Sequence, residues 1–323
     1  MLTWPAFSLL KRQYPQSNIT AMVPPYTQPM ADLCPWIDDT LVDHNHAPRQ
    51  LARQIKAGQY DASLSLYSEF RTALALWLAR VPLRIGPATK IAQLFLNRKL
   101  RQKRSLSQKP EYLYNLDLAK FYIELNGDIP TEPESPPYLE FSHEQTRALR
   151  TQYLNENATP HDARLVFIHP GSGGSAVNLT RNQFAQLANQ LVKSNKVYFV
   201  ITAGPDELQA AKSLARLLPK QQCSIYHSLE GLETFARFIS ICDLFISGST
   251  GPLHVAGALN VPTTAFYPAR RSATALRWMT LNEENRRIAF SPGHYTKAAT
   301  KLDIDIDRCA EEVSCFLKRL YGS

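Results

Sequence analysis

Three short segments rich in glycine, serine and threonine carry the residues that could do chemistry. They are HPGSGGS at 169–175, GPDE at 204–207 and SGSTGPLH at 247–254, and each follows an apolar run that predicts a buried strand. Small residues let backbone N–H groups point at one place, and a helix N-terminus adds partial positive charge. The first and third segments are therefore predicted to bind phosphate groups, with a flexible loop as the alternative for the first.

Two side chains in these segments allow two interpretations each. Glu207 could accept hydrogen bonds from sugar hydroxyls, but spacing alone favours a simple helix cap. His254 falls in the first turn of a helix predicted to begin near Pro252, where a packing role competes with a ligand contact. Its place beside a candidate anion site favours the ligand contact. Two anion-binding loops at one sheet edge predict a nucleotide diphosphate.

The elements that must position these loops form a regular series in the second half. Strands are predicted at 165–169, 197–202, 224–227, 243–247 and 263–267, with helices between them. This alternation indicates βαβ units and a parallel sheet whose strands end at one edge. The first half predicts a less regular α/β unit, and the Pro-rich stretch 127–137 joins the two. We therefore expect two domains, 1–158 and 159–323, with the last helix as a candidate to pack back on the first.

Length, charge and composition exclude several classes of function for this chain. The chain has 323 residues and a net charge of +8, without an apolar run long enough to span a membrane or a recognisable secretory signal. Five scattered cysteines without a CxxC pair indicate neither a zinc site nor a disulfide framework, so a reducing cytoplasmic setting is expected. No carboxylate-rich metal cluster is recognisable, and the pair His44 and His46 is interpreted as a polar loop.

The positive charge is concentrated in one stretch. Seven lysines and arginines and no acidic residue lie between Lys90 and Lys109. A solvated helix face or loop is one interpretation, and a contact for phosphates on a substrate or membrane is the other. The candidate contacts are Arg98, Lys99 and Arg101. Nucleic-acid binding has less support, because no zinc finger, RNP motif or recognition helix accompanies the stretch.

The motifs HPGSGG (169–174), GPDE (204–207) and GSTGPLHVAGAL (248–259) resemble glycosyltransferase family 9, the ADP-heptose:lipopolysaccharide heptosyltransferases. Looser similarity extends upstream to LTWPAFSLLKRQYP, YDASLSL and RIG. The resemblance implies an α/β GT-B fold, two Rossmann-like domains facing a cleft. It also implies an inverting transfer that needs neither metal nor cofactor, with the nucleotide sugar held mainly by the C-terminal domain.

The resemblance also implies roles for individual residues. Gly171 and Ser172 would meet the diphosphate, and Glu207 would bind the adenosine ribose. The segment Leu229–Gly231, with Glu230, would lie near the adenine. The diphosphate and heptose would be surrounded by Ser249, Thr250, Gly251 and His254. The acceptor would be a lipid-linked anionic saccharide, met by the N-terminal domain at the cytoplasmic face of the inner membrane, with no nucleic acid involved.

The sequence departs from the family pattern at three places. The family's first strand and its GD loop, with the Asp that serves as general base, would stand before Met1, so we expect Met1 to be an internal methionine and no catalytic base is assigned. Ser249 stands where the family often has Asp, and Val177 where it usually has Lys. A non-catalytic sugar-nucleotide-binding protein is therefore the alternative function.

Overall fold

A computed structural model describes residues 1–171, 177–293 and 302–322 of the chain. The chain divides into two compact units, Met1–Ser135 and Pro136–Ser323. The division falls in the Pro-rich stretch, earlier than the boundary at 158/159 expected from sequence. The reason is the helix His143–Glu156, whose Arg150 donates to the carbonyl of Ile241 and lies 2.7 Å from the Asp243 carboxylate, so this helix belongs with the second unit.

The first unit contains five helices and five strands among its described residues. They are α1 (Trp4–Gln13), β1 (Thr20–Val23), α2 (Gln28–Asp32), β2 (Asp39–Val42), α3 (Pro48–Ala57), β3 (Ala62–Leu64), α4 (Phe70–Leu78), β4 (Leu83–Pro87), β5 (Arg98–Leu100) and α5 (Glu111–Leu125). Short 3-10 helices occupy Pro25–Thr27, Ile91–Phe95 and Arg104–Leu106. All strand pairs are parallel, and within the described residues β1-β2 and β3-β4-β5 are hydrogen-bonded as separate sheets.

Two helix pairs hold the first unit together. The apolar face of α3, with Leu51 and Ile55, packs against Leu76 of α4. In the second pair, Leu9 of α1 packs against Ile123 of α5. The basic stretch after Lys90 is neither a helix face nor a simple loop, because it contains a 3-10 helix and the strand β5, which pairs with β4.

The described residues of the second unit contain one six-stranded parallel sheet with helices between its strands. Its elements are α6 (His143–Glu156), β6 (Arg164–His169), α7 (Arg181–Ser194), β7 (Val197–Ala203), α8 (Leu208–Ala215), β8 (Cys223–His227), α9 (Gly231–Ile239), β9 (Leu244–Gly248), α10 (Gly251–Ala258), β10 (Thr263–Phe266), β11 (Arg287–Phe290) and α11 (Ile306–Tyr321). The strand order is β11-β10-β9-β6-β7-β8. The predicted alternation of strands and helices is confirmed.

The core of the second unit lies around the central strands. Every residue of β7 and β9 is buried, as expected for parallel strands covered on both faces. The terminal helix α11 packs Val313, Phe316 and Leu317 into the same apolar cluster as Leu187 of α7. Within the described ranges, no helix of either unit is both long enough and apolar enough to cross a bilayer.

Candidate functional site

The sheet of the second unit reverses its direction of growth between β6 and β9. From β6 the chain adds β7 and β8 on one side, and then β9, β10 and β11 on the other. His169 at the end of β6 is paired in register with Ser247 near the end of β9. Ligands of open α/β sheets bind outside the carboxyl ends of the strands at such a switch point. The loops predicted to do chemistry after β6, β7 and β9 therefore meet at this edge.

Asn178 joins the loop after β6 to the end of β9, a role that the sequence analysis missed. Its amide nitrogen lies 3.3 Å from the carbonyl oxygens of His169 and Pro170 and 3.4 Å from that of Gly171, and its oxygen accepts from the Leu179 amide at 3.0 Å. A Cβ on Gly248 would lie 2.9 Å from the Asn178 side chain. Glycine at 248 thus gives Asn178 room to hold the described start of the loop.

Glu207 connects the loop after β7 with the loop after β6. Its carboxylate accepts from the Gly204 amide at 3.0 Å and fills the space that a Cβ on Gly171 would occupy. The prediction that Glu207 acts as a simple helix cap is wrong: it stands at the N-cap position of α8, but its side chain makes no capping hydrogen bond and turns back to Gly204. The carboxylate is thereby held beside the candidate phosphate loop.

The buried side chain of His169 lies beside the Glu207 carboxylate. The imidazole is buried, with Nδ1 3.0 Å from the Thr202 hydroxyl and Nε2 3.5 Å from the Glu207 carboxylate. Burial lowers the pKa of His169, although the nearby Glu207 opposes the shift. The Thr202 hydroxyl also donates to the Ile168 carbonyl at 3.4 Å, so the imidazole lies between this hydroxyl and the Glu207 carboxylate. The sequence signal was the histidine of HPGSGG, which ends the strand facing into the site.

The loop after β9 presents small polar residues at the start of α10. The Ser247 hydroxyl donates to the His169 carbonyl at 3.1 Å and lies 3.1 Å from the Thr250 hydroxyl, which is also buried. Ser249 is half-buried and Gly251 is exposed, with open space beside its Cα. Pro252 occupies the first turn of α10, as predicted. The accessible groups here are the backbone and side chain of Ser249 and the first amides of α10, which suit an anion.

His254 stands in the first turn of α10 with one ring nitrogen unused. Its Nδ1 is buried and has no hydrogen-bond partner among the described residues. Burial lowers the pKa of His254 to about 4, so the ring is neutral near pH 7. Buried polar atoms without a partner are uncommon in folded proteins.

The loop after β8 reaches the same sheet edge beside the loop after β7. The Ser228 amide donates to the Ala203 carbonyl at 2.8 Å, which fixes the start of this loop. Leu229 is 67% exposed, Glu230 is the exposed N-cap residue of α9, and Gly231 adopts a left-handed φ of 89°. An exposed leucine at this candidate ligand-binding edge can offer an apolar contact to a planar ring.

Two cations at this edge were missed by the sequence analysis. Arg270 and Arg271 follow β10 closely, and both are exposed. Because β10 is parallel to β9 and hydrogen-bonded to it, its carboxyl end lies next to the loop that carries Thr250. The signal for these arginines was their position after a predicted strand, which is the same position that defines the three glycine-containing loops.

The candidate acceptor contacts lie in the first unit. Arg98 and Lys99 belong to β5, Arg101 follows it, and all three are exposed. Two other cations of the stretch are occupied, since Arg104 pairs with Glu111 at 2.6 Å and Lys109 pairs with Asp117. Across the described part of the chain, no group of three or more His, Cys, Asp or Glu is arranged to hold a metal ion.

Comparison with known proteins agrees with this architecture. A model of glycosyltransferase family 9 (heptosyltransferase) matches residues 48–299. The chain belongs to glycosyltransferase family 9. A Haemophilus influenzae protein, whose name gives only the general class glycosyltransferase, is 37% identical over 99% of this chain and 94% of its own length.

Two other similar proteins carry more specific names. Lipopolysaccharide heptosyltransferase 2 of Salmonella typhimurium is 24% identical over 98% of this chain and 94% of its own length. The solved structure of Escherichia coli ADP-heptose lipopolysaccharide heptosyltransferase II superimposes with a TM-score of 0.76, at 20% identity, over 99% of this chain and 95% of the other. The α/β fold of the GT-B type and the family predicted from the motifs are thus confirmed.

Family 9 membership makes the chain a glycosyltransferase of the heptosyltransferase family. The predicted donor residues Gly171, Glu207, Glu230, Ser249, Thr250, Gly251 and His254 all lie in loops or first helical turns at one edge of the second unit's sheet. Ser172, the remaining one, lies outside the described residues. The ligand roles of these residues stay predictions.

Proposed function

We propose that this family 9 glycosyltransferase transfers a heptose-like sugar, with inversion, from an ADP-sugar to a hydroxyl of a lipopolysaccharide inner-core acceptor. The observation that carries the proposal is the edge of the sheet at the switch point between β6 and β9. There the Glu207 carboxylate, the start of the loop after β6 and the N-terminus of α10 converge. This edge offers both hydroxyl-binding and anion-binding groups.

The donor diphosphate is assigned to the N-terminus of α10 and the loop after β6. Ser249, Thr250 and Gly251 supply small polar groups there, together with Gly171 and Ser172. His254, in the first turn of the same helix, is assigned to the diphosphate or the sugar. The family usually has a lysine where this chain has Val177. Arg270 and Arg271 supply the positive charge that this lysine would provide. These groups stabilise the charge that develops on the departing ADP, without a metal or a cofactor.

The nucleoside is assigned to the neighbouring loops. The Glu207 carboxylate is held by the Gly204 amide and His169, so it is oriented to accept hydrogen bonds from the ribose hydroxyls. Leu229 and Glu230 lie at the end of β8, where the adenine would rest against an exposed apolar side chain. The general base that activates the acceptor hydroxyl is not assigned to any residue of this chain.

The acceptor side of the proposal rests on charge. Arg98, Lys99 and Arg101 are exposed cations that can bind the acidic or phosphorylated sugars of a lipid-linked acceptor. The proposal places the protein in the cytoplasm, in peripheral contact with the inner face of the inner membrane. Nucleic acid has no part in it.

Donor titration tests the proposal directly. Calorimetric titration of the protein should give tighter binding for ADP-heptose than for UDP-sugars. The variant Glu207→Gln should weaken ADP-heptose binding about tenfold or more, because it removes a charged acceptor for the ribose hydroxyls. The control Glu233→Gln, in an exposed pair with Arg237 on α9, should leave the affinity unchanged.

Three outcomes would count against the proposal. Equal affinity for ADP- and UDP-sugars would contradict the assigned nucleoside. Unchanged affinity in Glu207→Gln would contradict the assigned ribose contact. Tight ADP-heptose binding without release of ADP in the presence of acceptor would support the alternative, a non-catalytic sugar-nucleotide-binding protein.

A further inference from the structure

An exposed apolar surface is formed by α4 and the 3-10 helix that follows β4. Phe70 and Trp77, seven residues apart on one side of α4, are 45% and 50% exposed. Ile91 and Leu94, three residues apart in the 3-10 helix, are 61% and 71% exposed. Phe95 joins the two helices, with its ring 5.5 Å from that of Phe70 and 6.0 Å from that of Trp77. We call these five side chains the apolar surface.

The segment that builds this surface carries charge of one sign. Between Phe70 and Pro110 the sequence has ten lysines and arginines and no aspartate or glutamate. Glu69, which precedes the segment, lies 3.4 Å from Arg71, whose guanidinium also pairs with Asp43 at 2.6 Å.

The exposed cations of the segment lie close to the apolar surface. Lys90 directly precedes Ile91, and β5 begins at Arg98, three residues after Phe95. The Ala88 amide donates to the Leu100 carbonyl at 2.8 Å, which brings the end of β5 back beside the turn that leads to Lys90. The cations Lys90, Arg98, Lys99, Arg101 and Lys103 are all exposed.

We propose that the apolar surface and these cations dock the protein on an anionic phospholipid bilayer. The aromatic and aliphatic side chains enter the boundary between headgroups and acyl chains, and the lysines and arginines meet lipid phosphates. This inference rests on the proposed function to the extent that a lipid-linked acceptor must be met at a membrane. It adds the surface that makes the contact.

Charge favours a lipid surface over a second copy of the chain. In a symmetric dimer the same patch would face itself, and the cations around it would be brought together without acidic partners in the segment. A bilayer with anionic headgroups supplies both the apolar layer and the opposite charge in one geometry. Both features are needed, because each alone gives weak and reversible binding.

Vesicle flotation of the full chain tests the docking surface without any sugar nucleotide. Vesicles of phosphatidylcholine and phosphatidylglycerol in equal parts should bind the protein, and pure phosphatidylcholine vesicles should bind it at least tenfold more weakly. Binding to the anionic vesicles should fall as salt is added. Lack of binding to the anionic vesicles, or equal binding to both kinds, would overturn the proposal.

Matched variants separate the apolar surface from general stickiness. The double variant Ile91→Ser/Leu94→Ser should reduce vesicle binding about tenfold or more, because it removes two inserted side chains. The variant Lys90→Ser/Lys99→Ser should reduce it by about fivefold for each charge removed. The control Ile129→Ser changes an 87% exposed isoleucine outside the apolar surface and should bind as the unmodified chain does.

Two further readouts keep the proposal distinct from the proposed function. Thermal unfolding and ADP-heptose affinity should be the same in the apolar-surface variant and the unmodified chain, so that lost vesicle binding reports docking and not folding. Normal donor binding without vesicle binding would defeat the docking surface alone, whereas vesicle binding without donor binding would defeat the function alone. A concentration-dependent dimer that disappears in Ile91→Ser/Leu94→Ser would assign the surface to self-association instead.

Discussion

The tightest arrangement in the candidate site joins Gly171, Glu207 and His169. The Glu207 carboxylate occupies the position of a missing Cβ at Gly171, accepts from the Gly204 amide and faces the buried imidazole. The glycine in the motif therefore has two possible uses: close approach of a phosphate, and room for a neighbouring carboxylate. Only the second use can be seen from the contacts of the protein itself.

Replacement of Gly171 by alanine should move Glu207. The added Cβ overlaps the carboxylate, so Glu207 must leave the Gly204 amide and His169. We expect Gly171→Ala to lose ADP-heptose affinity about tenfold or more, because an oriented charged acceptor is lost. Calorimetric titration measures the affinity, and thermal unfolding measures any general loss of stability.

Gly293→Ala is the matched control for this change. Gly293 is exposed, and a Cβ there meets no atom within 4 Å. The Gly293→Ala variant should keep the ADP-heptose affinity and the melting temperature of the unmodified chain. If Gly171→Ala also bound ADP-heptose normally, the position of Glu207 seen in the structure would have no bearing on donor binding.

His254 should make folding stability depend on pH in a defined window. Burial lowers the pKa of His254 to about 4 in the folded chain, whereas the pKa of a histidine in an unfolded chain is about 6.5. Protons therefore favour the unfolded chain below about pH 6.5, and this contribution to the unfolding free energy falls by about 2 kcal/mol by about pH 5. It continues to fall until the pH reaches the folded pKa.

Urea unfolding of His254→Gln near pH 7 and near pH 5 checks this linkage. The variant should lose less stability between the two pH values than the unmodified chain, by about 2 kcal/mol. His143→Gln, at an exposed position at the start of α6, should keep the full dependence. An identical loss of stability in His254→Gln and the unmodified chain would show that His254 titrates in the folded state as it does when unfolded.

At the scale of elements, Asn178 shows how the loop after β6 is fixed without a regular hydrogen-bond ladder. One amide group faces three consecutive carbonyls of the loop after β6, and it packs where Gly248 has no side chain. The contact couples β6 to β9 at the switch point, where the donor is proposed to bind. It therefore offers a way to disturb the site from outside the ligand contacts.

Substitutions of Asn178 should affect donor binding in a graded order. Asn178→Ala removes the donor to the three carbonyls, and Asn178→Asp keeps the shape but sets a carboxylate against them. Because the second change adds repulsion, we expect the affinity for ADP-heptose to fall in the order unmodified chain, Asn178→Ala, Asn178→Asp, by about fivefold or more at each step. Calorimetric titration again gives the measurement.

Asn189→Asp, on the exposed side of α7, is the control for the added charge in Asn178→Asp. This control should bind ADP-heptose as the unmodified chain does. If Asn178→Asp bound ADP-heptose as well as the unmodified chain does, Asn178 would act only as a space-filling residue. The order expected from hydrogen bonding would then be wrong.

The elements show which parts of the fold could be predicted from sequence. The strands β6, β7 and β9 are continuous apolar runs, so their pattern alone identifies them. By contrast, β5 is three residues long and reads RKL, so neither periodicity nor composition indicates a strand. It forms because Arg98, Lys99 and Leu100 pair with Ile85, Gly86 and Pro87 of β4, a tertiary contact that no local pattern contains.

Local sequence patterns likewise predicted only part of the candidate site. The loops were predictable, because glycines and small hydroxyl residues after a strand have a local signature. The cap assigned to Glu207 was wrong because its side chain turns toward Gly204 and His169, a choice that depends on the neighbouring strand. Asn178 had no signature at all, since its partners are backbone carbonyls brought near by the fold.

At the scale of the whole molecule, the charge of +8 hides a strong asymmetry in the first unit. The segment 70–110 has ten lysines and arginines and no acidic residue, whereas the remainder of Met1–Ser135 has six basic and twelve acidic residues. A unit with one cationic and one acidic region orients itself in the field of an anionic partner and approaches it faster at low salt. Under the proposed function, the asymmetry acts on the acceptor and the membrane more than on the donor.

Removal of charge from β5 should therefore separate acceptor binding from donor binding. The triple variant Arg98→Ser/Lys99→Ser/Arg101→Ser should raise the KM for a phosphorylated, water-soluble acceptor about tenfold or more at low salt, because three phosphate contacts are lost. Its ADP-heptose affinity should be unchanged. A transfer assay at low and high salt measures both effects, and the difference from the unmodified chain should shrink as salt is added.

A triple variant in the second unit controls for net charge alone. Lys212, Arg216 and Lys220 are exposed on or after α8, so replacing all three by serine removes the same charge elsewhere. If both triple variants raised the acceptor KM equally, only the net charge of the chain would matter. If neither did, the exposed cations of β5 would have no part in acceptor binding. A selective effect of the β5 variant would locate the acceptor beside Arg98, Lys99 and Arg101.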